Sequence, residues 1–298
     1  ENANELGTVL KLSSNVSEQV NRSTIQATYD QIVSDLESAA EILPETSLFP
    51  TRPSKVAANA ALARVYLSMR DYDKAGEFAN KALQKKNVLL DYNTITPVGP
   101  NTIKIFDAEV IFHSTSGNGT VLARSRARFD SSHYTSYHND DLRKRVFFSA
   151  NTGANLGSYS FRGSYYGTSV DRVFDGLTTD ELYLIRAECF AREGNFSAAI
   201  DDLNTLMIKR WKSGAFTSFQ ASSPAEALDL ILTERRKELI YRGIRWSDIR
   251  RLNLEGHNIT PERIIAGVPY KLPPNDLRTV MLIPWDEINR SGISQNPR

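Results

Sequence analysis

A chain of 298 residues, 41% of them hydrophobic, is long enough to bury one large core or two ordinary ones. Its 36 basic and 35 acidic residues nearly cancel, so no overall field exists to hold a polyphosphate or an anionic membrane, and nucleic acid is not an expected partner. The single cysteine, Cys189, excludes an internal disulfide and, set inside an apolar helical pattern, reads as a buried thiol.

The polar start ENANELG lacks the basic, apolar and cleavage-site succession of a signal peptide. From Ser23 the spacing of Tyr29, Ile32, Leu36, Ala39 and Leu43 predicts an amphipathic helix stopped by Pro44. After Pro53 and Ser54 the run VAANAALARVYLSM, rich in strong helix formers, predicts a second helix that breaks at Arg70 and Asp71. Arg64 interrupts that run, which is also too short for a membrane span. A third helix is expected over Lys74 to Lys85.

The same grammar returns at residues 178–211, TTDELYLIRAECFAREGNFSAAIDDLNTLMIKRW. Matching Asp71-Tyr72-Asp73-Lys74-Ala75 to Asn195-Phe196-Ser197-Ala198-Ala199 places Ala63 on Ala187, Tyr66 on Phe190 and Ala75 on Ala199. A small residue, an aromatic three positions on, and a small residue where the second helix crosses are what a close antiparallel helix pair needs, and they fit the tetratricopeptide pattern. Between the copies the texture changes. Short β-prone runs, Val110-Ile111-Phe112 and Val146-Phe147-Phe148, stand among glycine, serine and asparagine. From His133 to Tyr166 the loops are crowded with Tyr134, Tyr137, Tyr159, Phe161, Tyr165 and Tyr166, accompanied by His133, His138, Arg143 and Arg162.

Ser223-Pro224-Ala225-Glu226 is a capping box with proline at the first helical position, and Leu228, Ile231, Leu232, Arg235 and Leu239 share one face of the helix it opens. Gly243 is expected to end that helix, a short one should cover Arg245 to Leu252, and a proline-rich tail should hold a strand at Leu277 to Ile283 and a turn-like ISQNPR.

The residues offer little for catalysis. The nearest two of the four histidines are five apart, which does not put both rings on one helix face, so no metal is expected. No phosphate-binding loop, dinucleotide fingerprint or nucleophile elbow is present, and no cofactor is expected. The adjacent acids Asp140-Asp141 and Asp201-Asp202 point in different directions and read as solvated charge. The chain therefore reads as a binding protein rather than an enzyme. Its densest charged block, ERRKELIYRGIRWSDIRRL at 234–252, interleaves acids with bases and reads as an ion network locking two helices, with arginine stems packed on Trp246.

That block closely resembles the C-terminal signature of the SusD/RagB family of outer-membrane nutrient-binding lipoproteins. RSTIQATYDQIVSDLESAAEILP, RPSKVAANAALARVYLSMRDYDKAGEFANKAL, DAEVIFHS, NDDLRKRVFF, ELYLIRAECFAREGNFSAAIDDLN and LIPWDEINRSGISQNP are similar to other family segments and stand in the family's order, so the likeness spans nearly the whole chain. The resemblance implies a mainly α fold of tetratricopeptide-like helical hairpins in an alpha-alpha superhelix, with a loop-rich face and a few short strands. It implies two regions, residues 1–105 and 106–298. It implies capture of a nutrient, most often a glycan, at the cell surface, and delivery to a SusC-like TonB-dependent transporter in the outer membrane. Members usually carry a longer N-terminus with a signal peptide and a lipid-bearing cysteine, so a shortened or unusually short chain is expected, with membrane attachment only through a lipid this chain does not carry. Glu234, Arg235, Arg245, Trp246, Asp248 and Arg250 are then expected to knit the C-terminal helices, and Trp285 with Pro284 and Pro297 to pin the tail.

No ligand residue transfers by motif, so chemistry must choose. Sugar rings stack C–H faces on exposed aromatics while their hydroxyls bond to polar side chains. The candidates are Tyr134, Tyr137, His138, Tyr159, Phe161, Tyr165 and Tyr166, with Asn155 and Arg162 as polar partners and Trp211 at the end of the second repeat copy. Two other readings stand beside glycan capture: a tetratricopeptide-type adaptor that binds a peptide in its groove, and a glycoside hydrolase, which needs two carboxylates facing each other across a cleft.

Overall fold

The computed structural model describes residues 5–97, 102–117, 121–123, 126–167 and 172–298. In chain order these form β1 (Leu6–Val9), β2 (Arg22–Thr24), α1 (Ile25–Ile42), α2 (Lys55–Met69), α3 (Tyr72–Leu83), β3 (Val110–Phe112), β4 (Thr115–Gly117), α4 (Ser131–Thr135), α5 (Arg143–Phe147), β5 (Phe148–Ala150) and β6 (Tyr159–Phe161). They continue as β7 (Arg172–Phe174), β8 (Leu177–Thr178), α6 (Thr179–Arg192), α7 (Phe196–Met207), α8 (Pro224–Glu238), α9 (Arg245–Leu254), β9 (Glu262–Ile265), β10 (Val268–Lys271) and α10 (Trp285–Ser291). The fold is mainly helical, as its periodicity predicts. Among the described residues no helix is long and apolar enough to cross a membrane.

The two repeat copies are α2–α3 and α6–α7, and they share their local chemistry position by position. Asp71 caps α3 by accepting the Lys74 N–H at 3.2 Å, and Asn195 caps α7 by accepting the Ala198 N–H at the same distance. The residue before each cap is left-handed, Arg70 at φ 65° and Gly194 at φ 88°. Ala63, Ala75, Ala187 and Ala199 are all fully buried, which lets the paired helices approach closely. The hairpins also stack on each other, α3 against α6. There Gly76 faces Cys189 so tightly that a Cβ on the glycine would stand 3.0 Å from the cysteine Cβ, and the thiol is buried as expected. Helix α8 starts at the predicted capping box, with Ser223 Oγ accepting the Glu226 N–H, and closes at Leu239 before reaching Gly243. It packs Ala227 and Ile231 onto Leu184, Leu203 and Leu206 of the second hairpin. A fully buried leucine or isoleucine of this kind contributes about 1.5–3 kcal/mol.

Contacts divide the chain into two units, one spanning residues 39–245 and one made of both chain ends, through Ser38 and from Trp246. In the first, the excursion between the hairpins is closed by two antiparallel ladders. Val110 pairs with Thr178 in β3–β8 and Thr115 with Phe174 in β4–β7, so the chain leaves and returns at neighbouring points. A second core of Ile103, Val110, Val146, Phe147, Phe148 and Phe174 lies under it. The run Val146-Phe147-Phe148 is not one strand: its first two residues end α5 and only Phe148 enters β5, because burial of the helix face in this core outweighs β propensity.

In the second unit, Arg22 clips the β1–β2 ladder to the chain's end, donating to the carbonyls of Gly7, Leu6 and Ser294 and to Asn296 Oδ1 at 2.7–3.0 Å. The tail departs from expectation. Leu277 to Ile283 is not a strand: Asp276 caps a 3-10 turn at Leu277–Thr279, and the Gln295 side-chain amide takes both the N–H and the carbonyl of Ile283 at 2.8 Å, filling the place of a partner strand. The strands lie earlier, where β9 and β10 pair around Ala266 and Gly267, both at positive φ as a tight hairpin turn requires. Trp285 is 66% exposed and does not pin the tail; Trp246 does, donating its indole N–H to the Thr279 carbonyl.

Arg70 occupies a conformation that costs a residue with a Cβ about 1–2 kcal/mol, only part of which glycine's greater unfolded-state freedom takes back. Arg70→Gly is therefore expected to stabilise the fold by about 0.5–1 kcal/mol in urea denaturation, and a loss of stability would contradict this account of the turn.

Candidate ligand-binding site

The loops that carry the predicted ligand residues are hung on two arginines. Arg143, fully buried, donates to Asp141 at 2.6 Å, Glu234 at 2.5 Å and Glu238 at 3.1 Å. Arg210, equally buried, donates to Glu238 and Glu109, both at 2.6 Å, and to the Leu90 carbonyl. Glu109 in turn accepts the Tyr165 hydroxyl. A third arginine, Arg242, pairs with Asp180 at 3.1 Å. Each guanidinium lies over a tyrosine ring: Arg143 over Tyr137, Arg210 over Tyr92 and Arg242 over Tyr165. Glu234 and Glu238 of the 234–252 block thus pair with arginines far along the chain, while Asp248 pairs with Arg251 of the block itself at 3.0 Å.

This network places the loops of the candidate face. The segment that supplies Asp141 runs antiparallel to the end of the second hairpin: Leu142 N–H donates to the Arg210 carbonyl and Lys212 N–H to the Asp140 carbonyl. That lacing sets His138 over Trp211, ring centres 5.0 Å apart and planes 19° from parallel, with Phe216 beyond at 5.9 Å. Asn93 braces the platform from the other side, donating to the Trp211 carbonyl and accepting the Ser213 N–H. The His138 side chain is 59% exposed and its Nδ1 accepts the Asp140 N–H, which leaves Nε2 as the protonated nitrogen. A second stack stands nearby along the chain of contacts. Asp130 caps α4, and Tyr134 on that helix lies 3.6 Å from Tyr159 of β6, planes 16° apart, both half-buried. Burial, then the Tyr159 hydroxyl, pushes the Tyr134 hydroxyl up to about 12, so it stays a neutral donor.

Of the ten predicted ligand residues, the structure brings together Tyr134, His138, Tyr159 and Trp211. Tyr137 and Tyr165 are corrections: at 2% and 0% exposure they are core residues that cover Arg143 and Arg242 and cannot meet a ligand. Phe161 is stacked on Tyr241 at 4.4 Å, and Arg162 holds the Arg145 carbonyl. Tyr166 keeps company with His113 and Arg172, and Asn155 sits on the exposed turn between β5 and β6. Phe216, Asn93 and Lys144 escaped the sequence reading. Lys144 follows the buried Arg143 directly, and nothing local marks which of the two turns outward. The unit built from the chain ends holds a separate cleft of about 570 Å³, walled by Leu6, Ile25, Ile32, Leu277 and Val280, with Tyr29 its one ring and Arg22 already engaged. Among the described residues no group of acids, histidines and cysteine is placed to hold a metal.

Residues 5–67 match a family model described as starch-binding and associating with the outer membrane, and residues 180–296 match the SusD family model. The SusD-like protein P2 of Formosa agariphila is 25% identical over 86% of this chain, and the chain spans 64% of that protein's length. A SusD superfamily protein of Bacteroides thetaiotaomicron superposes with a TM-score of 0.78 at 24% identity, covering 99% of this chain and 72% of its own. A laminarin binding SusD-like protein superposes at 0.68 with 18% identity, covering 97% and 73%. At these identities the structures share a fold.

Two buried groups under the site pull stability in opposite directions with pH. Burial, against the pull of Arg210, raises Glu109 to about 7, so its share of stability is complete below about 4.5 and is lost as pH rises through 7; Glu238 is also raised. Burial, then Arg236, lowers His133 to about 4, so its share is complete above about 6.5 and is lost as pH falls through 4. Glu109→Gln should leave stability rising from pH 4 to 6.5, and His133→Gln should leave it falling from pH 4.5 to 7. Urea titrations across that range test both, and profiles that match the unaltered protein would contradict the assignment.

Proposed function

The chain belongs to the SusD/RagB family, and on that premise we propose that it captures a glycan at the outer surface of the outer membrane and hands it to a SusC-like TonB-dependent transporter. The observation that carries the reading is the pair of stacked platforms, His138 with Trp211 and Tyr134 with Tyr159, presented by the loops between the two hairpins and, for Trp211, by the segment that follows the second. Flat rings backed by a second ring are held without loss of side-chain freedom on binding, which suits an open site for a stiff sugar chain. Around them Asn139, Asp140, Asn93 and Lys212 offer donors and acceptors for hydroxyls. On this reading the site binds rather than reacts, since the carboxylates gathered beneath it are already bridged by arginine. The named relative takes laminarin, which does not favour the peptide-adaptor reading.

Calorimetric titration with a panel of oligosaccharides should find one class bound in the micromolar to millimolar range, roughly −4 to −8 kcal/mol. Trp211→Ala and Tyr159→Ala should each weaken that binding about 3- to 10-fold, the worth of one stacking contact, while Tyr166→Ala should not. A broad panel without binding, or binding indifferent to all three changes, would end this reading. Delivery is tested by co-purification with the cognate transporter.

A further inference from the structure

Between the two platforms stands one cation with no acid to answer it. Lys144 Nζ donates to the Tyr137 carbonyl at 3.2 Å and to Asn139 Oδ1 at 3.0 Å, and lies 5.2 Å from the centre of the Tyr134 ring. Among the described residues no carboxylate lies within ion-pair distance of it. In this it differs from the buried Arg143, Arg210 and Arg242, each matched to at least one carboxylate. Lys144 is half-buried, so its head is fixed by two hydrogen bonds while its third N–H has no acceptor among the described residues. The contacts run in one line: Trp211 to His138, the next residue Asn139 to Lys144, Lys144 to Tyr134, and Tyr134 to Tyr159. Asp140 sits at the His138 end of the line, its carboxylate 3.7 Å from His138 Nδ1.

We infer that the ligand is an acidic oligosaccharide, whose sugar rings use the two platforms while a carboxylate or sulfate group on the residue between them is held by Lys144. This rests on the glycan-capture reading and narrows it. A charge-assisted hydrogen bond to a partly desolvated ammonium is stronger than a neutral one, and a neutral sugar would leave that charge uncompensated on binding.

The test compares charged and neutral forms of the same chains by calorimetry: oligogalacturonate against its carboxyl-reduced form, and a sulfated galactan oligosaccharide against its desulfated form. One charged form should bind at least 10-fold more tightly than its neutral counterpart, and the arm that does so distinguishes carboxylate from sulfate. Lys144→Gln should abolish the preference, Lys144→Arg should restore most of it, and raising salt from 50 to 500 mM should erode it in the unaltered protein. Thermal melting confirms that both variants are folded. Neutral forms that bind as tightly as charged ones, or a preference that survives Lys144→Gln, would overturn the inference while leaving glycan capture standing. No binding of any form would overturn both.

Discussion

Arg143 and Arg210 are held wholly out of water among four carboxylates, and the loops that carry the candidate binding face take their positions from that arrangement. Among its described residues the excursion between the hairpins has strands of two or three residues, two helices of five and two 3-10 turns, too little regular structure to fix its own shape. Its start and its middle are instead tied to the scaffold by charge. Glu109 enters from the start of the excursion, Asp141 and Arg143 from its middle, Arg210 from beyond the second hairpin, and Glu234 and Glu238 from α8. Removing one member strands a buried charge, at a cost of roughly 3–5 kcal/mol, whereas apolar residues in place of the whole set could hold the protein together equally well. What the network supplies is therefore placement: it decides which residue of each loop faces inward.

The tyrosines extend that logic. Tyr137, Tyr92 and Tyr165 close over the three guanidiniums and exclude water from them, and Tyr137 returns its hydroxyl to the Lys237 carbonyl. Four carboxylates around Arg143 and Arg210, with Lys237 beside Glu234 as a further cation, leave a surplus of negative charge, and the structure resolves it by keeping Glu109 raised in the most enclosed position. The stacked, half-buried rings of Tyr134 and Tyr159 and the core rings of Tyr137 and Tyr165 thus come from the same short stretch of sequence.

That shared origin explains what the amino-acid sequence could and could not reveal. The hairpins were legible because a 3.6-residue period and an alanine, aromatic, alanine pattern recur in register, and both copies express the pattern through contacts within a few residues. The aromatic loops were legible as a type of surface. Which aromatics reach it was not: Tyr134 and Tyr137 lie three apart on and just after one turn of helix, yet one joins the platform and the other the core, because Arg143 waits beneath the second. Glu234 and Glu238 were recognisable as members of an ion network, but their partners lie in other elements and no local pattern names them. The tail failed for a related reason, since Gln295 satisfies Ile283 with a side-chain amide that mimics a strand.

The excursion leaves after α3 and is closed again by the β3–β8 ladder just before α6, while α3 and α6 pack directly as if nothing stood between them. A loop anchored in this way is thermodynamically detachable from its frame. Each doubling of its length costs only about 0.6 kcal/mol in closure entropy. Outside the members of the ion network, variation can thus lengthen, shorten or rewrite the excursion while Gly76 continues to fit against Cys189. A single scaffold built in this way can vary the surface it presents without having to solve its folding problem again.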